Sequence, residues 1–329
     1  MRSRFDHVGR PALAGGALRA HAAANPRPYQ SADERSYVRI AIGVATDWRY
    51  GDADLADPQR WPPGAPMLFA AAHRLRPTAV DPAAPDVPAA YAVQAVVATA
   101  LIPAVFVLAA LVGGAWAGVA SAGLVAVYPP LAQSPQDLLS EPLGALLATA
   151  AAIAVALALR RPAWWKLVLA GVLLGATVLT RADLLVLPAI AVAVVGVAGW
   201  RAGGARAGLG RAGLLATVTG LVIAPWMAFA AAMSGRLVPV TSGGASNLFV
   251  GTYLPGDGSM FGAKRELGPE VHRRLPQWRA TRPTNIPQGV VMSASRCGAR
   301  TCTVRMRCGP PRCRTSAPTR SAIRPPSPP

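Results

Sequence analysis

The groups through which this chain could do chemistry are few, and the stretch that gathers them is Ser31 to Leu75, SADERSYVRIAIGVATDWRYGDADLADPQRWPPGAPMLFAAAHRL. Asp33, Glu34 and Arg35 stand side by side at its start, and aromatic residues follow at Tyr37, Trp48, Tyr50 and Trp61. A positioned carboxylate can take the proton of an attacking hydroxyl. Both acids also have a structural reading. Ser31-x-x-Glu34 is a capping-box pattern, which explains Glu34 as half of a helix cap worth about 1 kcal/mol. Asp33 falls in the first turn of the same helix, where the helix dipole favours an acid.

The elements that must hold these groups are apolar. Of the 329 residues 52% are hydrophobic and only 15% charged, which points away from an ordinary soluble domain. Between Ala89 and Met233 there are seven basic and three acidic residues, and none of either kind before Asp137. Such a block reads as membrane spans. The expected fold is an all-α membrane protein, a polytopic bundle of about six spans whose extra-cytoplasmic first loop carries amphipathic helices. The spans are read as Ala89–Leu111, Ala115–Tyr128, Leu138–Leu159, Trp164–Thr180, Leu184–Trp200 and Ala212–Met233. Gly171 and Gly175 make a GxxxG, expected to be a close helix-packing site.

Around that bundle the sequence divides into segments. Residues 1–30 hold five arginines and no apolar run long enough for a span or a signal-peptide core, so they read as an unanchored N-terminal segment. Residues 31–88 form the acidic loop. Within it Tyr37, Ile40, Ala41, Val44 and Trp48 recur at helical spacing, predicting an interfacial amphipathic helix of about four turns. Gly51 to Gly64 is turn-rich, Met67 to Ala72 a short apolar run, and Asp81 to Pro88 a proline-rich linker. Residues 89–233 are the transmembrane bundle, 234–292 a polar outer segment, and 293–329 an Arg/Pro/Cys tail that is disordered or out of frame.

Charge placement sets the expected topology. Arg160, Arg161 and Lys166 share one loop, and Arg201, Arg206 and Arg211 another two spans later, so the positive-inside rule makes that side cytoplasmic. Ser31–Leu75, Tyr128–Asp137 and Arg181–Asp183 then fall outside, and one outer face collects the reactive groups. The net charge of +18 does not imply nucleic acid, because eight of the 33 basic residues lie in the acid-free last 37 positions and most others in short loops.

Several motifs carry little. Cys297, Cys302, Cys308 and Cys313 lie in the tail with four, five and four residues between them, not the spacing of zinc modules. His7, His21, His73 and His272 make no ligand spacing, so no metal site is expected. Gly208-x-Gly210-x-x-Gly213 matches a dinucleotide fingerprint, yet no strand precedes it, and it reads as a loop between helices.

The motifs ADERSYVRIA, WPPGAPMLFAA, YPPLAQSPQDLLSEPL, AGVLLGATVLTRADLLVLP and APW followed by LVPVTSGGASNLFVG occur in that order. Together they resemble the multi-span GT-C glycosyltransferases. More narrowly they are similar to glycosyltransferase family 39 and to related bacterial proteins with a protein-mannosyltransferase-like membrane domain, including those that transfer sugars to lipopolysaccharide cores and lipid A. It covers roughly residues 28 to 255. Family members begin with a span before the DE motif and continue through further spans, so the resemblance predicts a chain truncated or frame-shifted at both ends.

What the resemblance implies is a membrane enzyme of the cell envelope. It would transfer a sugar from a polyprenyl-phosphate donor to the hydroxyl of a glycan, lipid or protein acceptor on the outer face. The family's catalytic acid falls on Asp33, with Glu34 beside it. Glu141 of the SEP segment is a supporting acid, and also a helix-start residue ahead of Pro142. Arg181 of the TRAD segment, with Arg35 second, is the donor-phosphate ligand, because guanidinium matches phosphate oxygens in bidentate fashion. Arg181 also reads as a side chain snorkelling to the interface. A lipid phosphate leaves with little protonation, so one base and one or two cations suffice, and direct attack inverts the anomeric carbon.

A divalent cation between Asp33 and Glu141 is compatible with these groups, and nothing in the sequence requires one. Asp52-x-Asp54 resembles the DxD of nucleotide-sugar enzymes but falls on the outer side, away from nucleotide sugars. The competing readings are an inactive fragment of such an enzyme and a transporter. The latter would carry ionisable residues within its spans and a repeated half, and neither is present.

Overall fold

In a computed structural model, which describes residues 2–29, 31–51, 60–79, 86–235, 237–238 and 240–241, no strand occurs among the described residues. The helices are α1 (Arg2–Ala24), α2 (Ala32–Asp47), α3 (Gly64–Leu75), α4 (Pro88–Val127), α5 (Pro129–Gln133), α6 (Glu141–Arg160), α7 (Trp164–Thr180) and α8 (Val186–Ser234). Short 3-10 turns cover Ser134–Gln136 and Ala182–Leu185. Three helical stretches, Pro88–Val127, Glu141–Arg160 and Ala182–Met233, are long and apolar enough to cross a membrane, and Trp164–Thr180 is a shorter apolar helix. Asp52-x-Asp54, His272 and the four cysteines lie outside the described residues.

Two of the long helices are hairpins. α4 breaks at Gly114, where φ is +82° and ψ 178°. Beyond the break Gly118 presses on Phe106, and an added Cβ would sit 2.9 Å from that ring. Residues twelve apart in an unbroken helix are separated by about 18 Å, so the chain must turn back. α8 breaks likewise at Gly203 and Gly204, with Gly208 packed on the Gly196 carbonyl and Trp200. The left-handed φ of +82° and +77° at Gly114 and Gly204 is where a side chain would be strained.

The result is a set of six rods, 88–113, 115–127, 141–160, 164–180, 186–202 and 205–234, following the order of the six apolar runs. The second is about 20 Å long at 1.5 Å per residue, short of a hydrocarbon layer of about 30 Å. Gly208-x-Gly210-x-x-Gly213 is therefore helical, correcting the expected loop, because the turn falls at Gly203–Gly204 instead.

Bare backbone lets the rods meet. A Cβ on Gly171 would lie 2.8 Å from Val218 Cβ, and one on Gly175 2.6 Å from Val222 Cβ, so the GxxxG is the contact of α7 with α8. Ala151, Ala154, Ala158 and Ala170 fill the adjoining core around Leu174 and Leu215.

Within the N-terminal segment, for which the sequence offers no anchor, Arg2–Ala24 form α1 against the α4 hairpin. Ala12 packs near Phe106 and Val125, Gly16 on Thr99, and Ala23 in the cluster holding Ala90 and Tyr91, so α1 runs antiparallel to rod 88–113. Arg19 is fully buried in this contact. Its guanidinium donates to the carbonyls of Gly15 (3.0 Å), Ala126 (3.1 Å) and Val125 (2.8 Å). The last two are carbonyls at the end of rod 115–127 that have no partner within the helix.

The bundle has two unlike ends. At one end lie the turns at 113–114, 161–163 and 203–204, tied together by a hydrogen bond from Arg160 to the Leu111 carbonyl and by a small cleft shared by Leu159, Pro162, Ala202 and Arg211. The other end carries α2, α3, α5 and the segment before α6. There Gln94 donates to the carbonyls of Asp137 and Leu139, and Arg27 to Gln133.

Replacing Arg19 by Met keeps much of its volume but leaves the carbonyls of rod 115–127 unbonded in an apolar contact. The expected loss is about 2–4 kcal/mol. Thermal unfolding of detergent-purified protein should show it, with Arg19→Lys losing less.

Candidate functional site

The carboxylates and guanidinium gather at the second end because four local structures converge there. The first is the start of α2. Ser31 is its N-cap, the Glu34 N–H bonds the Ser31 hydroxyl (3.2 Å), and Glu34 Oε2 accepts from the Ser31 N–H (2.8 Å) and hydroxyl (3.2 Å). The capping box expected from the spacing is thus formed, and it turns Glu34 inward to 1% exposure. Asp33, one position earlier, stays half-buried. Arg35 points from the exposed side of α2, about 200° around the helix from Tyr37 at 100° per residue.

The apolar stripe of α2 is buried at Tyr37, Ile40, Ala41 and Val44, as its periodicity predicts. Trp48 departs from it. It ends the helix in the left-handed region at φ +55°, exposed, with the Arg74 guanidinium 3.5 Å over its ring. Arg74 in turn donates to the carbonyls of Val44 (2.8 Å) and Ala45 (3.0 Å), closing the end of α2.

The second structure is the start of α3, where WPPG supplies a close approach. A Cβ on Gly64 would meet the Thr180 hydroxyl and lie 2.8 Å from its Cα, so α3 begins directly against the end of α7. The third is the start of α6, with Ser140 at its N-cap, Glu141 first and Pro142 next. The fourth is the residue after α7. Arg181 leaves the helix in an extended conformation and returns across α6.

Arg181 is the centre of the cluster. Nη1 lies 2.8 Å from Glu141 Oε1, while Nη2 and Nε donate to the two oxygens of Asp183 at 2.8 and 3.2 Å. Three of its five N–H groups are engaged in this way. Hydrogen bonding to Asp183, with Glu141 adding to it against the effect of burial, holds the guanidinium above its ordinary pKa.

Tyr37, one turn along α2 from Asp33, joins the acids to this group. Its hydroxyl donates to Ser140 Oγ (3.4 Å), and its ring meets Trp61 edge-on at 5.4 Å. Burial above all, with Glu141 and Asp33 adding to it and the Ser140 bond and Arg181 opposing, pushes the phenol up to about 12. Asp33, Glu141 and Arg181 thus share Tyr37 as a common neighbour. Of the other two residues singled out, Glu34 is engaged in the cap and Arg35 faces elsewhere.

Thr180, next to Arg181 in the chain, lines an apolar cleft of about 740 Å³ between α2 and α3 on one side and α6, α7 and α8 on the other. Leu143, Leu147, Leu179, Thr180, Met67 and Trp226 are among its lining residues. Tyr50 braces one wall, stacking edge-on with Trp226 at 4.8 Å and donating to the Trp61 carbonyl at 2.8 Å. An amphipathic molecule with an anionic head fits such a site chemically, the head at the guanidinium and the chain among the apolar side chains. Among the described residues no group of three or more His, Cys, Asp or Glu side chains is placed to hold a metal ion.

No protein-family model, curated protein or solved structure matches the chain.

Tyr37, Ser140, Asp137 and Asp183 belong to the site region without having been given a site role from the sequence. Tyr37 follows Asp33 by four residues, a spacing that puts both on one helix face and could have marked it. Asp137 is the least comfortable of the group: Oδ1 is buried with no hydrogen-bond partner. Burial first, then the carboxylates of Glu34 and Glu141, hold its carboxyl above the usual range, and Arg27 pulls the other way.

A carboxyl raised in the folded state destabilises the fold at pH above its ordinary range. Below that range, folded and unfolded chains are both protonated and the effect vanishes. Asp137→Asn is therefore expected to raise the thermal midpoint by a few degrees at neutral pH, with the gain disappearing as pH falls through about 4. Midpoints measured across that range check the sign.

Proposed function

We propose that the chain is a membrane glycosyltransferase that moves a sugar from a polyprenyl-phosphate donor to an acceptor hydroxyl on the extra-cytoplasmic face. The observation that carries this reading is the Arg181 guanidinium, paired with Glu141 and sharing Tyr37 as a neighbour with Asp33, in a chain of apolar helices where the residue before it, Thr180, lines an apolar cleft. A lipid phosphate combines an anionic head and a long apolar chain, and this site pairs the complementary features. The two N–H groups of Arg181 not engaged by Glu141 and Asp183 are the donors offered to phosphate oxygens.

In the proposed reaction Asp33 accepts the acceptor's hydroxyl proton as its oxygen attacks the anomeric carbon. The carbon–oxygen bond to phosphate breaks, the polyprenyl phosphate leaves with the bonding electrons, and the configuration inverts. Phosphate is a weakly basic leaving group, so no second acid is required, and positive charge at Arg181 stabilises it as it departs. Glu141 and Asp183 hold that guanidinium, and Glu34 holds the start of the helix that carries Asp33.

In the same reading all six rods are embedded in the membrane, the short 115–127 rod without spanning its full thickness. The end that carries the three turns faces the cytoplasm. Support comes from its composition: exposed Trp116, Trp164, Trp165 and Trp200 collect there with Arg160, Arg161, Lys166 and Arg201, the pairing of aromatic and basic side chains found at membrane interfaces.

Two measurements test the proposal. Asp33→Asn should lower sugar transfer from a polyprenyl-phosphate donor in membranes by about 10²- to 10⁴-fold while the protein remains inserted, and wild-type transfer would remove Asp33 from the mechanism. A cysteine placed at Ala32 should react with a membrane-impermeant thiol reagent in intact cells above the parent chain's background. Labelling only after lysis would reverse the topology.

A further inference from the structure

The route by which Arg181 reaches Glu141 depends on a residue with no side chain. Arg181 crosses the first turn of α6 at Gly144, which is buried. A Cβ there would lie 2.6 Å from Arg181 Cδ and 3.0 Å from its Cγ. The arginine stem therefore lies directly on the bare backbone of position 144. From that contact it runs three residues toward the helix start, along one face, and delivers Nη1 to Glu141 at 2.8 Å. The chain neighbours Leu143 and Thr180 line the apolar cleft, so this track sets where the guanidinium stands relative to it.

Two general arguments make the arrangement unusual. Glycine inside a helix is unfavourable relative to alanine, and a cation beside a helix N-terminus is opposed by the helix dipole. The packing of Arg181 accounts for both together: the missing Cβ admits the stem, and Glu141 and Asp183 offset the dipole.

We infer that Gly144 is a positioning residue that sets where Arg181 presents its charge to an anionic lipid head group, so any side chain at 144 displaces the head-group site. The inference rests on the proposed lipid-phosphate function of the cleft. Restoring ordinary contact after adding a Cβ requires the stem to move by roughly 1 Å, a displacement large enough to cost an order of magnitude or more at an ionic site. Gly144→Ala is the informative change, because alanine is the better helix former and the bundle should still assemble.

The test uses the full chain in lipid nanodiscs with farnesyl phosphate and farnesol as probes. Wild type should bind farnesyl phosphate more tightly than farnesol. Gly144→Ala should weaken farnesyl phosphate by about 10-fold and leave farnesol unchanged, and Gly144→Ala/Arg181→Gln should be no weaker than Arg181→Gln alone. Wild-type affinity in Gly144→Ala, or additive losses in the double variant, would overturn the positioning role.

A second measurement separates that failure from failure of the lipid-phosphate reading. The stability coupling of Arg181 with Glu141, from Arg181→Gln and Glu141→Gln on thermal unfolding, should be present in the wild-type background and lost with Gly144→Ala. If wild type does not distinguish the two probes, the lipid-phosphate reading falls and this cycle alone decides the positioning role. Coupling retained in the Gly144→Ala background rejects it.

Discussion

The constraint on which this structure depends is that its helices have almost no polar side chains with which to recognise one another. Backbone groups are bonded within each helix, so what remains for association is close packing through small residues. Gly171 and Gly175 bring α7 onto α8, Gly15 brings α1 onto the α4 hairpin, and Gly118 and Gly208 let two hairpins close on themselves. Where a helix end leaves carbonyls without partners inside the bundle, a buried charge appears, and Arg19 on the carbonyls of Val125 and Ala126 is the case in point.

The same economy shapes the candidate site. The apolar rods deliver only their ends to it, and the polar groups that those ends carry are few. Glu141 starts α6, Arg181 follows α7, and Asp33 begins α2, so each functional side chain stands at a terminus where the chain leaves regular structure. The glycines at 64 and 144 then allow close packing there, one by seating α3 on Thr180 and the other by letting Arg181 lie across α6 and reach Glu141. The position of this charge is thus a consequence of helix packing and not of a dedicated loop.

Much of this was legible in the residues. The capping box at Ser31 and Glu34, the buried stripe from Tyr37 to Val44, the order of six apolar rods and the GxxxG contact all follow from short-range periodicity, which a sequence displays directly. Less visible was α1, because its contact with α4 is made by glycines, alanines and one arginine that form no hydrophobic pattern. The start of rod 205–234 was misplaced for a related reason. A glycine-rich, basic stretch looks like a loop until Gly208 is seen packed against Gly196.

The sequence by itself determined where most of the helices lie, which of their faces are apolar, the cap role of Glu34 and which residues could act as base or anion ligand, since those properties depend on neighbours within a few positions. Only the tertiary structure decided which of the candidate site residues come together. It left Arg35 on the exposed side and set Arg181 between Glu141 and Asp183 with Tyr37 nearby. The physical reason is distance along the chain: Arg181 lies forty residues from Glu141 and about 150 from Asp33, and their encounter rests on glycine contacts that only the packed bundle creates.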